Sequence, residues 1–551
     1  MFVDVVSFTP TDPSKNFFTY KITKELTRDI LIGQLVSIPW GKKTSQGLVI
    51  GTKKESQVKA PKEIFKILSP TPILLPNYIK LLKWMSWYYH APMLDCLKAM
   101  LPELPLNTKQ LMTNAQSFRR STLDVKQTLV LFPTISQAEN YLANINISNG
   151  LVIYHKQLAK KELFNRWWKI YNREFVRIIG TRSAIFTQCQ NLAAIKIINE
   201  DETGFKDIQS PYFDSLTTAS ELAKLTGAKL AIETLTPKVE TYLNFSKNLV
   251  KKKPKAKPQV TIINLSNKRE KSLILPISDT LRDILIEKIK NKMTVLLFLN
   301  RIKESGQTYC NECKFSGYSK GAPEVCPNCK GENFKFYSLN LKTLAQELVK
   351  IQPQIGVTLI SEKGEKQFKK GTPKITLSTS AIFTKKPQKF SLVCQILADT
   401  ILNLPDFSSS FRTFQMIVKL LQLANIQGQV LIQTYNPSHP AIKYSANFEF
   451  EKFYHEELIL RKKLELPPYY ILAKLSLKLK NAEVAKEQAE NLKSLLEKKS
   501  LLVEVSEPIA SWQTNGEFNI IVKAKKREEL DSVLSNVPAK WKVVLDPESL
   551  L

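Results

Sequence analysis

No apolar run in this 551-residue chain reaches the ~18 residues that a membrane-spanning helix needs. The opening residues, MFVDVVSFTPTDPSKNFF, also lack the basic stretch followed by an apolar stretch that makes a secretory leader. The sequence therefore predicts a cytoplasmic protein without membrane contact. Cysteine is scarce: seven residues, an odd number, which argues against a disulfide-built scaffold and suits a reducing compartment. No internal repeat is evident, so a stacked-repeat architecture is not expected. Acid is under-represented as well, with Asp+Glu 50 against Lys+Arg 80 and a net charge of +30. Lysine-rich genome composition alone would give some excess. Clustered lysines otherwise gain affinity for polyanions by releasing phosphate counterions, which points to nucleic acid. Hydrophobic content of 43% supports real cores, and the length suggests about three to five domains.

Four of the seven cysteines form two knuckles, Cys310-Asn-Glu-Cys313 and Cys326-Pro-Asn-Cys329, with 12 residues between the inner pair. Each C-x-x-C turns two thiolates toward one centre, and two such knuckles complete a tetrahedral zinc site. Cys96, Cys189 and Cys394 are scattered singly, so a chance cluster is a poor alternative. The expectation is one Zn²⁺ per chain, held by Cys310, Cys313, Cys326 and Cys329. Four protein ligands leave no position for water, which makes the site structural.

Residues 1 to about 55 alternate apolar and polar in short runs separated by turn residues, which predicts a small β domain. An amphipathic helix follows over about 77–90. Its Trp84, Trp87, Tyr88 and Tyr89 are read as base-stacking groups or, with more weight, as core. Apolar runs such as TLVLFPT, GLVIYHK, FVRIIGT and AAIKIINE then alternate with helical stretches, the rhythm of a parallel, doubly wound sheet. The rhythm resumes after a lysine-rich stretch, Lys247 to Lys257, which reads as a solvated linker able to touch a nucleic-acid backbone. The last part, from about His439, has a split β-α-β pattern.

Several strings together resemble the bacterial PriA replication-restart family. These are VSIPWG at 36–41 with GLVIG at 47–51, GTRSAIF at 180–186, Leu299-Asn300-Arg301 before the first knuckle, Arg412-Thr413-Phe414-Gln415, and GQVLIQTYNPSHP at 428–440. The resemblance implies an α/β multidomain chain. Its expected parts are a 3′-end DNA-binding domain (1–104), a linker (105–126), helicase lobe 1 (127–246, truncated and degenerate) and the lysine-rich linker (247–258). Lobe 2 (259–438), with a zinc module at 305–338, and a C-terminal domain (439–551) complete the expected order.

In that family a pocket of the first domain holds the exposed 3′ end of the nascent strand. Its Phe-Asp-Tyr corresponds to Phe18-Thr19-Tyr20 here, so both aromatics remain and the acid is replaced. Phe18 and Tyr20 are read equally as core residues on one face of a strand. The basic turn Lys42-Lys43 is expected to meet phosphates. Partners implied are branched DNA, replication forks and single-stranded DNA, together with primosome proteins, single-strand-binding protein and the replicative helicase.

The chain also departs from the family. No G-x-x-x-x-G-K-[ST] string occurs, Asn199-Glu200-Asp201-Glu202 stands where the family has Asp-Glu-Glu-His, and Gln422-Leu423-Ala424-Asn425-Ile426 replaces an arginine-bearing string. A missing phosphate-binding loop and lost charges at the metal and transition-state positions imply no ATPase. The expectation is therefore a restart factor that recognises stalled or abandoned forks and promotes primosome assembly and replicative helicase reloading, without enzyme activity. Two alternatives stand beside it: an ATP-dependent 3′–5′ helicase with divergent motifs, and a general zinc-containing nucleic-acid scaffold. Of the family's four knuckles, the retained two align with the first and fourth, which share one ion.

Overall fold

A computed structural model describes residues 1–10, 15–23, 26, 29–103, 125–145, 150–252, 254, 257–267, 277–300, 305–313, 316–320, 323–326, 328–338, 340–372, 374–385, 388–499, 502–511 and 516–550. They divide into two units, Met1–Lys252 with Glu465–Leu550, and Lys253–Leu464.

The first unit opens with a five-stranded antiparallel sheet. Its spatial order is Phe18–Lys21, Phe2–Ser7, Lys43–Lys53, Leu35–Trp40, Lys66–Ile67. Period-two alternation sends Val3, Val5, Tyr20, Val36, Ile38 and Val49 to one buried face. Helix Pro76–Tyr88 starts on a proline, whose missing N–H is no loss in the first turn. That helix and Met93–Met100 bury Leu81, Leu82, Met85, Cys96 and Leu97 in a core continuous with the next sheet. The aromatic stripe is used mainly for packing. Tyr89 is buried and bonds Thr218, Trp84 stacks on Tyr88 at 4.6 Å, and the Arg527 guanidinium lies 4.3 Å from the Tyr88 ring centre.

The second sheet of this unit has six parallel strands, ordered Leu249–Lys251, Lys229–Thr234, Leu192–Ile198, Gln127–Leu131, Arg177–Gly180, Leu151–Tyr154. The GTRSA turn needs its glycine, because a Cβ on Gly180 would sit 2.1 Å from the Tyr154 carbonyl oxygen. The C-terminal sheet is antiparallel around Ile471–Lys478 and Glu517–Ala524. Helices Ala482–Lys499 and Arg527–Leu534 pack on it, a split β-α-β arrangement.

The second unit is a seven-stranded sheet, parallel except for the hairpin Gly356–Ser361 with Gly364–Lys369 at one edge. Central strands Val295–Phe298 and Phe390–Gln395 are covered on both faces, which explains the unbroken VLLF of the first and the apolar Leu392-Val393-Cys394 of the second. The protein is thus mixed α/β, with two largely parallel sheets, one in each unit.

Two boundaries differ from the sequence expectation. The stretch 247–258 is not all linker: Leu249–Lys251 is the edge strand of the first lobe, and Lys252 pairs with Glu233 at 3.0 Å. Lysine-dominated composition hides the short apolar pair Leu249-Val250. Helices Pro440–Ala446 and Phe450–Lys463 belong to the second lobe, where Phe453 stacks on Phe414 at 4.0 Å, so the last domain begins near Glu465. Most of the expected 105–126 linker lies outside the described residues. Among the described residues no helix is long and apolar enough to cross a membrane.

Candidate metal centre and nucleic-acid interface

Between strand Val295–Phe298 and helix Leu341–Ile351 the chain makes a separate three-stranded antiparallel sheet of Ser316–Lys320, Ser305–Cys310 and Phe334–Ser338. Cys310 ends the middle strand and Cys313 follows in the turn. The second knuckle is held by two main-chain bonds, Cys326 N–H to the Gly331 carbonyl and Lys330 N–H to the Cys326 carbonyl, both 2.9 Å. The four thiols converge. Sγ of Cys310 and Cys329 are 3.6 Å apart, those of Cys313 and Cys326 are 3.7 Å apart, and all four lie within 4.8 Å of one another. Those separations exceed a disulfide bond and match the edge of a metal–thiolate tetrahedron, about 3.8 Å for ~2.3 Å bonds. Asn328 donates to the Cys313 sulfur at 3.4 Å, the kind of neighbour that stabilises a thiolate ligand. The chain therefore carries a four-cysteine cluster able to hold a metal.

Three of the predicted DNA residues, Phe18, Thr19 and Tyr20, lie on the edge strand Phe18–Lys21. A shallow pocket of about 510 Å³ runs along it, lined by Phe18, Thr19 and Tyr20 and, across the opening, by Lys15, Phe17, Pro61 and Lys62. Phe18 is half-buried and packs edge-on against Trp40 with ring centres 5.0 Å apart. Tyr20 is a core residue, 6% exposed, whose hydroxyl reaches the Pro39 carbonyl at 3.4 Å and whose burial pushes its pKa up to about 12. Thr19 points to the opposite face. Its hydroxyl donates to Asp4 at 2.7 Å and accepts from Lys53 at 3.0 Å, and Lys53 pairs with Asp4 at 2.8 Å. Lys42 and Lys43 stand exposed where strands Leu35–Trp40 and Lys43–Lys53 meet, and they are not among the residues lining the pocket. Sequence reasoning missed Lys15, Phe17, Pro61 and Lys62. The exposed Phe17 beside Phe18 was the available signal for one of them.

The motif positions of the first lobe also have partners. Leu192–Ile198 ends in Asn199, which adopts a left-handed backbone (φ 56°) and donates to Gln137 at 3.0 Å. Asp201 accepts from Thr234 and Thr236, while Glu200 accepts from the Thr241 hydroxyl and the Lys238 N–H. Burial of Glu200 raises its pKa from 4.5 to about 8. The folded chain therefore keeps this proton up to about pH 8, whereas the unfolded chain releases it near 4.5. Folding is thus disfavoured increasingly as pH rises between those values. Glu200→Gln is expected to raise the thermal midpoint at pH 8 and to leave it unchanged below pH 4.5. Melting curves of both proteins across that window check it. In the second lobe Leu423 packs against the core and Ile426 is 82% exposed.

Comparison with known proteins gives three results. Residues 5–102 match the model of the PriA 3′ DNA-binding domain (3′BD). The chain is 25% identical over 490 residues to the replication restart protein PriA of Bacillus subtilis, covering 79% of this chain and 61% of that protein. It is 22% identical over 595 residues to the PriA of Treponema pallidum, covering 90% and 89%. Among solved structures, the DUF1998 helicase MrfA bound to DNA and AMPPNP matches with TM-score 0.31 and 11% identity, covering 64% of this chain and 46% of that one. The helicase Lhr of Mycobacterium smegmatis bound to ssDNA and AMP-PNP matches with TM-score 0.31 and 9% identity, covering 76% and 55%.

These comparisons correct one expectation. The reading as a non-enzyme rested on missing consensus strings, but the relatives that match along most of the chain are PriA proteins. That likeness does not mark the chain as non-catalytic, and the segment 104–124, which precedes the first strand of lobe 1, lies outside the described residues. A consensus string is one signature of an activity, and its absence does not outweigh kinship along most of the chain. Along most of its length the chain is similar to PriA replication restart proteins, and residues 5–102 match the 3′ DNA-binding domain of that family.

Proposed function

We propose that this protein acts in replication restart by recognising branched DNA through a free 3′ end seated in the pocket beside Phe18. The observation that carries the reading is a coincidence of position. The pocket opens on residues 18–20, within the stretch matched by the 3′ DNA-binding domain, and lysines 15 and 62 line it. An aromatic ring face offers stacking to a terminal base, and lysines neutralise the phosphates that follow it. On this reading the ligands are stalled or abandoned forks and single-stranded DNA, and the outcome is primosome assembly and reloading of the replicative helicase. Single-strand-binding protein and primosome proteins are then the partners, in a cytoplasmic, nucleoid-associated setting. The four-cysteine cluster holds one structural Zn²⁺, consistent with its sulfur spacings. Fork binding with a free and a chemically blocked 3′ terminus tests the reading, with structured RNA at matched salt as the competitor. Equal affinity for free and blocked forks would remove it.

The turn lysines contribute differently from the pocket. Lys42 is exposed and outside the lining, so Lys42→Ala is expected to weaken all DNA alike. The slope of log affinity against log salt should flatten by about 0.9, one phosphate's worth. Salt titrations with free and blocked forks check that the ratio between them stays constant.

A further inference from the structure

We infer that the open face of helix Pro76–Tyr88, centred on Trp87, is a separate binding site for unpaired bases inside a single strand of DNA. The inference goes beyond the 3′-end reading. None of the residues involved lines the pocket along Phe18–Lys21, and the site takes a strand without regard to how it ends.

The helix sequence PNYIKLLKWMSWY divides into two faces. Tyr78, Ile79, Leu81, Leu82 and Met85 are buried. On the other side Lys80, Lys83, Trp84 and Trp87 recur at i, i+3, i+4 and i+7, spread over about 10 Å of helix axis. Lys80 and Lys83 are exposed, and among the described residues neither makes an ion pair or a side-chain hydrogen bond. The helix contains no acid, so nothing along it offsets the two charges.

Trp87 differs from the rest of the aromatic stripe. Tyr89 is in the core, and Trp84 and Tyr88 are half-buried against each other, whereas Trp87 is 53% exposed. Tryptophan is highly buried on average, so a ring left this open in water is the informative exception. The ring is fixed in place. Tyr88 meets it at 68° with ring centres 6.2 Å apart, and the Arg527 guanidinium lies 5.1 Å from its centre. Arg527 is itself anchored, donating to Asp531 at 2.7 Å and to the Tyr88 carbonyl at 2.6 Å. Asp531, the acid beside this cluster, is further engaged by His90 at 2.8 Å. A rigid aromatic with two unpaired cations behind it on one line suits a chain of alternating bases and phosphates: a base stacks on Trp87, and Lys83 and Lys80 meet the phosphates beside it. An acidic peptide would meet the same charges, but the helix lies within residues 5–102, the stretch matched by a DNA-binding domain, which favours nucleic acid.

The experiment uses the full chain with a thymidine single strand and a blunt duplex, both carrying 3′-phosphates so that no free terminus contributes. Trp87→Ala is expected to weaken the capped single strand by about 5- to 150-fold, the loss of one base–aromatic stack, and to leave the duplex within about twofold. Trp87→Phe, which keeps a ring, should stay within about threefold of wild type on the single strand. Lys83→Ala touches no packing and should flatten the slope of log affinity against log salt by about 0.7, one phosphate of a single strand. That arm holds even if Trp87→Ala loosens Arg527. Unchanged single-strand affinity in Trp87→Ala, an equal loss on the duplex, or an unchanged slope in Lys83→Ala would overturn the inference. So would a Trp87-dependent affinity for a polyglutamate peptide without one for the capped strand. A fall in the free-to-blocked fork ratio in Trp87→Ala would put Trp87 in the 3′-end pocket and overturn it as well.

Discussion

Cys310→Ser is expected to release the bound metal and unfold residues 305–338, leaving the N-terminal sheet of residues 2–67 intact. The module is three short strands set apart from the larger sheets, the minimum at which a sheet becomes independently stable. On the zinc reading, an ion on the four sulfurs adds to that margin. Structural zinc in small modules contributes an apparent ~10–16 kcal/mol at neutral pH, comparable to the ~5–15 kcal/mol of a typical whole domain. Removing one of four ligands leaves a three-thiolate site with an open position, so most of that stabilisation is lost locally. Elemental analysis should give one Zn²⁺ in the reduced wild type and well under one in the variant. Limited proteolysis should cut the variant between 305 and 338 while fork binding through the first domain persists. Two ions, or none, in reduced wild-type protein would sink the assignment.

The locality of that prediction reflects what in this chain a sequence can announce. Ligand spacing is a one-dimensional signal, and the 3.6–3.7 Å sulfur pairs, each joining one knuckle to the other, are the convergence that two C-x-x-C strings imply. The central strands announce themselves in the same way, since residues covered on both faces must be apolar without a break, as in Val295–Phe298. The edges do not. Gly364–Lys369 is a strand of GEKQFK, polar because an edge needs no buried face and lysines there discourage further pairing. Leu249–Lys251 is lost inside a lysine run for the same reason. The pocket was half legible. Alternation put Phe18 and Tyr20 together, but the wall from Val58 to Lys62 comes from some forty residues away and follows no period. Nor does any pattern in the string Phe18-Thr19-Tyr20 tell that one aromatic lies at the surface and the other in the core.

That difference decides the second large effect. Phe18→Ala is expected to weaken binding of forks with a free 3′ end by about 5- to 150-fold, the ~1–3 kcal/mol of one base–aromatic stack, and to leave blocked forks nearly unchanged. Phe18 is half-buried beside the opening, supported edge-on by Trp40 at 5.0 Å, so its ring is offered to a ligand at little cost to the sheet. Tyr20 cannot be tested the same way. At 6% exposure it fills the core with Val3, Val5 and Val36, and Tyr20→Ala would leave a cavity costing about 3–5 kcal/mol of stability. A drop in fork affinity in that variant would report an unfolded domain. Tyr20→Phe separates the roles, because it keeps the packing and removes only the weak 3.4 Å bond to Pro39. Its stability and its ratio of free- to blocked-fork affinity should both stay close to wild type. If Phe18→Ala lowers affinity equally for free and blocked forks, the ring is holding the domain together, and end recognition has to be sought among the main-chain groups and lysines of the pocket.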